Sequence, residues 1–203
     1  MEHHSASNDV SRETLAALDA FATLLERWNR TVNLISPGDL PLIWQRHISD
    51  ALQLVPLMPP ETQRAIDLGS GAGFPGLILA LATGIQFDLV ESDQRKAAFL
   101  REAARVTGAP IHVHAARIET AKLAPASLVT ARALAPLPKL LTLAAPHLGP
   151  GGTCLFMKGA SADAELTDAA TEWHMQVDRI PSRTAFGARI LRITDLSRVA
   201  STT

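Results

Sequence analysis

Asp67-Leu68-Gly69-Ser70-Gly71-Ala72-Gly73-Phe74-Pro75-Gly76 sets three glycines at alternate positions between an apolar run and the helical pattern starting at Leu77. Without a Cβ, glycine tolerates positive φ and lets backbone approach a ligand closely, so a loop of this kind at a helix start suits a nucleotide-like cofactor. Gly69-Gly71-Gly73 departs from the dinucleotide spacing G-x-G-x-x-G, although Gly76 does fall three residues after Gly73, and the match to that fingerprint is ambiguous. A phosphate loop of the G-x-x-x-x-G-K-[ST] type is excluded, because no lysine precedes Lys96. Asp67 stands at the loop's entrance, and its negative charge favours a ligand with an amino group and a positive charge over one with a pyrophosphate: S-adenosylmethionine rather than NAD. A second short apolar segment, Gln86 to Val90, ends at Glu91, a carboxylate placed to accept both hydrogen bonds of a ribose diol.

Other chemically suggestive residues have plainer readings. The single Cys154 lies in an apolar run and reads as a small buried hydrophobe. His112 and His114 share one strand face but have no third ligand nearby in sequence, so no metal is expected. Arg95-Lys96, Arg101 and Arg105 read as a solvated helix face, and Trp28 and Trp44 sit at core positions of helical stripes.

The elements that must position the loop follow from periodicity. Val10 to Arg30 carries Leu15, Leu18, Phe21, Leu24, Leu25 and Trp28 at three- and four-residue steps, the stripe of a core-facing helix. A second helical segment is expected over Asp39 to Met58, with Pro56, Pro59 and Pro60 breaking the chain before the first strand. Strands are expected at about 65–68, 86–90, 111–114, 127–131 and 153–158, alternating with helices at about 75–83, 93–107, 136–147 and 161–173. Met175 to Ile180 and Arg189 to Thr194 then alternate around a polar segment with Gly187, a closing antiparallel hairpin. The expected fold class is α/β: a Rossmann-like S-adenosylmethionine-dependent methyltransferase fold, its seven-stranded sheet mostly parallel with an antiparallel last strand. Residues 1–10 are expected as a disordered lead-in, 11–60 as an N-terminal helical cap and 61–203 as the cofactor-binding unit.

Composition bounds the rest. In 203 residues, 47% are hydrophobic and 19% charged, a globular balance, and no apolar run reaches the ~20 residues of a membrane span. The N-terminus lacks the basic start and apolar middle of a secretion signal, so the cytoplasm is expected. The net charge of −1 makes no global case for a nucleic-acid partner, and a monomer suits the chain's size.

With these residues in hand, the chain closely resembles the small-subunit ribosomal RNA methyltransferase G family, also called glucose-inhibited division protein B, from about Leu24 to Leu196. The resemblance rests on Trp28-Asn29 and Asn33-Leu34, on Arg46-His47 with Asp50, and on the Asp67 to Gly76 loop. It continues through Glu91, Lys96, Phe99-Leu100, Arg117, Glu119, Ala131-Arg132-Ala133, Gly151-Gly152 and Lys158-Gly159. It implies methyl transfer from S-adenosylmethionine to N7 of one guanosine in small-subunit (16S) ribosomal RNA, free or as assembled ribonucleoprotein. Carried over, the family's cofactor site includes Gly69 and Phe74 in the loop, Ile118 and Glu119 beside the adenine, Arg132 after the fourth strand and Glu91 on the ribose; the loop's own chemistry adds Asp67, Gly71 and Gly73. Gln94 and Arg95 depart from a stretch that is often richer in lysine, so Arg95 receives no partner.

Guanine N7 has an in-plane lone pair and no proton, so positioning and electrostatics should dominate over base catalysis. The absence of an N-P-P-Y or D-P-P-Y tetrapeptide agrees, as does the lack of a loop cysteine. Asp50 is the candidate carboxylate near the base, with His47 one helical turn earlier. Arg132 follows the fourth strand, where substrate or cofactor contacts belong, and Lys158 closes the fifth strand and could meet phosphate. The rival readings are a nicotinamide-dependent oxidoreductase, a methyltransferase acting on a small molecule or protein, and a non-catalytic adenosyl-binding regulator.

Overall fold

The computed structural model describes residues 10–200, so the expected lead-in lies outside the described residues except for Val10. Helix α1 (Arg12–Asn29) starts at Ser11, whose hydroxyl accepts the Thr14 amide, and its apolar stripe buries Leu18, Phe21, Leu24 and Leu25. The next cap segment is not the single helix expected over 39–58. It is a chain of short turns: a 3-10 turn at Pro37–Leu42, a π turn at Trp44–Ile48, helix α2 (Ser49–Leu52) and a 3-10 turn at Val55–Leu57. Pro56 lacks the amide hydrogen that would bond the Leu52 carbonyl, so the α-helix cannot continue past α2.

From Arg64 onward strands and helices alternate as β1 (Arg64–Leu68), α3 (Gly76–Thr83), β2 (Gln86–Val90), α4 (Gln94–Thr107) and β3 (Ile111–His114). They continue as β4 (Ala126–Arg132), α5 (Leu137–Ala144), β5 (Leu148–Lys158), α6 (Ala162–Ala169), β6 (Trp173–Pro181) and β7 (Arg189–Arg198). Two expected helices end early, α5 by passing into a 3-10 turn at Ala145–His147 that contains Pro146, and α6 at Ala169. Strand β5 begins five residues before the expected 153, and an irregular register with β4 accommodates the extra length.

The sheet order is β3-β2-β1-β4-β5-β7-β6. Strands β1 to β5 are parallel, and β7 runs antiparallel to both its neighbours. Alternation along each strand divides the core in two: Ala65, Phe87 and Leu89 join α1, α3 and α4 on one face. Ile66, Leu68, Val90 and Phe156 join α5 and α6 on the other. Because α1 packs on α3 and α4, the cap residues and one sheet face share an apolar cluster. The strand order reverses between β1 and β4, and the C-terminal ends of those two strands open the crevice where ligands of such sheets bind. Among the described residues, no helix is long and apolar enough to cross a membrane.

Candidate active site

The loop after β1 needs its glycines for different reasons. Gly69 and Gly71 have φ of +66° and +55°, a region costly for residues with a Cβ. A Cβ on Gly69 would stand 2.5 Å from Leu134 Cδ1, whereas one on Gly71 would meet nothing nearer than the Gly69 carbonyl at 3.8 Å and would project into open space. That space is a cavity of about 370 Å³ lined by Gly69, Gly71, Glu91, Ile118, Glu119, Arg132 and Leu134, a volume suited to a small ligand. Glu91 is buried there and rigidly held, one carboxylate oxygen accepting the Gly71 amide at 2.8 Å and the other the Asp93 amide at 2.7 Å. Lys96, Arg117 and Lys139 complete a cationic border.

Gly73, Phe74 and Asp67 do not line this cavity. The missing Cβ of Gly73 faces Leu77 and Leu100 at 3.1 and 3.3 Å, so that glycine serves the packing of α3 against α4. Gly76 lets α3 seat on the strands, since a Cβ there would fall 2.6 Å from both Asp67 Cβ and Leu89 Cδ2. Asp67 is fully buried beneath the loop; its Oδ1 accepts the Thr130 hydroxyl at 2.7 Å, and its Oδ2 has no hydrogen-bond partner among the described residues. Burial raises its pKa to about 6, against the opposing pull of the Thr130 and Ser70 hydroxyls, the nearby Gly76 amide and the charge of Arg132.

Arg132 and the cap meet above Phe74. The guanidinium donates from Nη1 to His47 Nδ1 at 2.9 Å, lies 3.7 Å from Asp50 Oδ2, and covers the Phe74 ring with Cζ 4.8 Å from its centroid. His47 stacks on the same ring at 5.0 Å, and Phe74 in turn meets the edge of Phe21. Guanidinium only donates, so His47 Nδ1 accepts and the imidazole is neutral with its proton on Nε2. Burial and the Arg132 charge push its pKa down to about 4. Burial also lowers the pKa of Arg132, with Asp50 and Asp67 opposing, and the group stays charged at neutral pH. Phe74 is thus the platform beneath Arg132 and His47.

A second cavity of about 410 Å³ lies on the other side of the segment Arg132 to Ala135, which lines both. Asp50, Arg132, Lys158, Ser182, Arg189 and Ile190 contribute to it. Lys158 is not free to meet a phosphate: its ammonium is buried, 2.6 Å from Glu165 Oε2, and donates to the Ala135 carbonyl at 2.8 Å. Glu165 also accepts the Leu137 amide at 2.7 Å and the Ser161 hydroxyl at 2.6 Å. Together they clamp the dividing segment, in which Ala133 holds a positive φ of 49°.

Several partners of the site carry no local sequence signal. Gln53 is buried and links Asp50 Oδ1, at 2.7 Å, to the β6–β7 connection through Ser182 Oγ and the Arg183 amide. The Thr184 hydroxyl donates to the same Asp50 oxygen. Thr130 under the loop and Glu165 behind Lys158 were equally hidden; the two-residue step from Thr130 to Arg132 shows only that they share a strand face. Cys154 is buried in β5 with its thiol pKa pushed up to about 12 by burial, an inert group. Trp28 packs edge-on against Phe99 in the core.

Known proteins resemble the chain over most of its length. Ribosomal RNA small subunit methyltransferase G from Granulibacter bethesdensis is 57% identical over 194 residues, covering 96% of this chain and 91% of its own. The protein of the same name from Gluconobacter oxydans is 55% identical over 190 residues, covering 94% and 98%. The solved ribosomal protein L11 methylase from Lactobacillus delbrueckii subsp. bulgaricus shares the fold, with a TM-score of 0.58 at 17% identity over 75% of this chain and 78% of that one. A family model described as rRNA small subunit methyltransferase G matches residues 14–190, and on this match and these identities the chain belongs to that family.

Proposed function

We propose that this protein transfers the methyl group of S-adenosylmethionine to N7 of a guanosine in small-subunit ribosomal RNA, acting in the cytoplasm as a monomer on assembled ribonucleoprotein. The observation that carries the reading is the pair of cavities back to back across Arg132 to Ala135: one bordered by the glycine loop and Glu91, the other by the cap and the β6–β7 connection. A cofactor and a base entering from opposite sides would meet at that segment.

The first cavity fits S-adenosylmethionine on its own chemistry. Glu91 spends one lone pair of each oxygen on backbone amides and keeps the others for ribose hydroxyls. Ile118 offers an apolar contact for adenine, and the unpartnered Oδ2 of Asp67 leaves a buried negative charge beneath the loop for the cationic part of the ligand. Bound there, S-adenosylmethionine supplies an electrophilic methyl on a sulfonium.

The second cavity supports attack by a group that carries no proton. His47 spends Nδ1 on Arg132 and has a pKa near 4, Lys158 is locked in an ion pair, and Cys154 is inert, so none is poised as a base or nucleophile. Guanine N7 needs neither. Arg132, fixed over Phe74 by His47 and Asp50, orients the base, while Asp50 stabilises the positive charge that develops on the purine. The net charge of −1 supports a substrate whose own proteins share the docking.

Incubating the protein and isotopically labelled S-adenosylmethionine with small subunits from cells that lack it should yield 7-methylguanosine on nucleoside mass spectrometry. An amino-methylated or pyrimidine product, or no label in RNA, refutes the reading.

A further inference from the structure

The loop between β6 and β7 holds a side chain that the reaction as derived does not use. The chain has six phenylalanines, and Phe21, Phe74, Phe87, Phe99 and Phe156 are all buried. Phe186 is wholly exposed, and the only other large apolar side chain exposed among the described residues is Val106. Its loop is well anchored: the Arg183 amide donates to Gln53 Oε1 at 2.9 Å, Gln53 Nε2 donates to Ser182 Oγ at 3.2 Å, and the Thr184 hydroxyl donates to Asp50. Past the phenylalanine, the Ala188 amide donates to the Ala185 carbonyl at 3.2 Å, and the Ser182 amide to the Ala188 carbonyl at 3.0 Å. The backbone on both sides of Phe186 is therefore held, and the ring stands in water on an ordered support.

Position gives the ring a task. Ser182, Ala185, Ala188 and Arg189 of the same loop line the cavity assigned above to the target base. Arg183, three residues before the ring, is exposed, and its guanidinium has no carboxylate within 4 Å among the described residues. A guanine that enters an inset cavity must leave its stack, which strips the neighbouring base of a partner. A flat, exposed aromatic face beside the cavity can take that vacant place with little dependence on which base it meets, and an adjacent arginine can meet the backbone phosphate.

We propose that Phe186 stacks on a base next to the target guanosine, holding the substrate strand open at the mouth of the cavity lined by Asp50, Arg132 and Arg189. This rests on the reading of the protein as a ribosomal RNA methyltransferase.

The test is methyl transfer to small subunits from cells lacking the protein, comparing wild type with Phe186→Ala, Phe186→Trp and Phe186→Leu. Phe186→Ala should lower kcat/KM for the subunits about ten-fold, with melting temperature and calorimetric affinity for S-adenosylmethionine unchanged. Phe186→Trp should restore activity, and Phe186→Leu should stay near the alanine value, because an aliphatic side chain fills volume without offering a stacking face. Unchanged kcat/KM in Phe186→Ala overturns the inference alone. Full recovery in Phe186→Leu also overturns it and assigns the ring to an apolar protein contact, and a wild-type dimer that dissociates on Phe186→Ala assigns it to self-association. A wild type inactive on the subunits overturns the underlying functional reading, and this inference with it.

Discussion

Arg132 draws on three unlike partners, His47, Asp50 and the face of Phe74, and each constrains a different degree of freedom of one planar guanidinium. Removing it should cost activity far more than stability: Arg132→Ala is expected to reduce kcat by about 10²–10³ while circular dichroism and the unfolding midpoint stay close to wild type. Gly71→Val should abolish S-adenosylmethionine binding by calorimetry, since it forces a branched side chain into positive φ and into the cavity at once. Two buried groups bend the stability profile in opposite directions. His47 has a folded pKa near 4, below its ordinary 6.5, so its contribution is complete above pH 6.5 and is lost as pH falls toward 4. Asp67 has a folded pKa near 6, above its ordinary 3.8, so its contribution is present below 3.8 and is lost as pH rises through 6. Asp67→Asn should therefore stabilise the ligand-free protein at pH 7.5, by up to about 3 kcal/mol at 1.4 kcal/mol per unit, yet weaken cofactor binding. Denaturant titration with and without S-adenosylmethionine separates the two effects. At this scale Asp67 was legible as a charge beside a glycine loop, but its burial and orphaned oxygen were not, because neither depends on its sequence neighbours.

The decisive element is the segment Arg132 to Leu137, which leaves β4, divides the two cavities and enters α5. Ala133 sits at positive φ within it, at a cost of about 1 kcal/mol or more, and Lys158 with Glu165 holds it from behind through the Ala135 carbonyl and the Leu137 amide. Lys158→Met should destabilise the protein by about 1–3 kcal/mol, since Glu165 loses its cation but keeps the Leu137 amide and the Ser161 hydroxyl, and should loosen Leu134 against Gly69 enough to weaken cofactor binding. A double-mutant cycle with Glu165→Gln is expected to show about 1–3 kcal/mol of coupling; additive effects would deny the clamp. Lys158 stood out in sequence as the end of a strand, where a phosphate contact is natural. Its partner lies seven residues on, in helix α6, and only the packing of α6 beside β5 brings them together. The cap has the same lesson: its apolar spacing implied one helix over 39–58, but Pro56 ends it early, and the π turn at Trp44–Ile48 carries His47 to the same guanidinium that Asp50 approaches from α2.

Across the whole molecule, the cap and the β6–β7 connection are joined through Gln53 and Asp50, so the walls of the second cavity come from opposite ends of the chain. Gln53→Ala should raise KM for the small subunit more than it alters the affinity for S-adenosylmethionine, a split that steady-state kinetics and calorimetry resolve. With a net charge of −1, assembled subunits should be methylated well above protein-free RNA at physiological salt, and equal rates on the two would refute shared docking. The sequence by itself determined the alternating α/β order, the glycine loop with its terminal carboxylate Glu91 and the closing hairpin, because these depend on periodicity and turn chemistry within a few residues. Only the tertiary structure decided that His47 meets Arg132 across 85 positions, that Asp50 meets Thr184 across 134, and that Arg132 to Ala135 separates two cavities. Local spacing assigns a residue to a face; which faces meet is settled by the packing of the entire core.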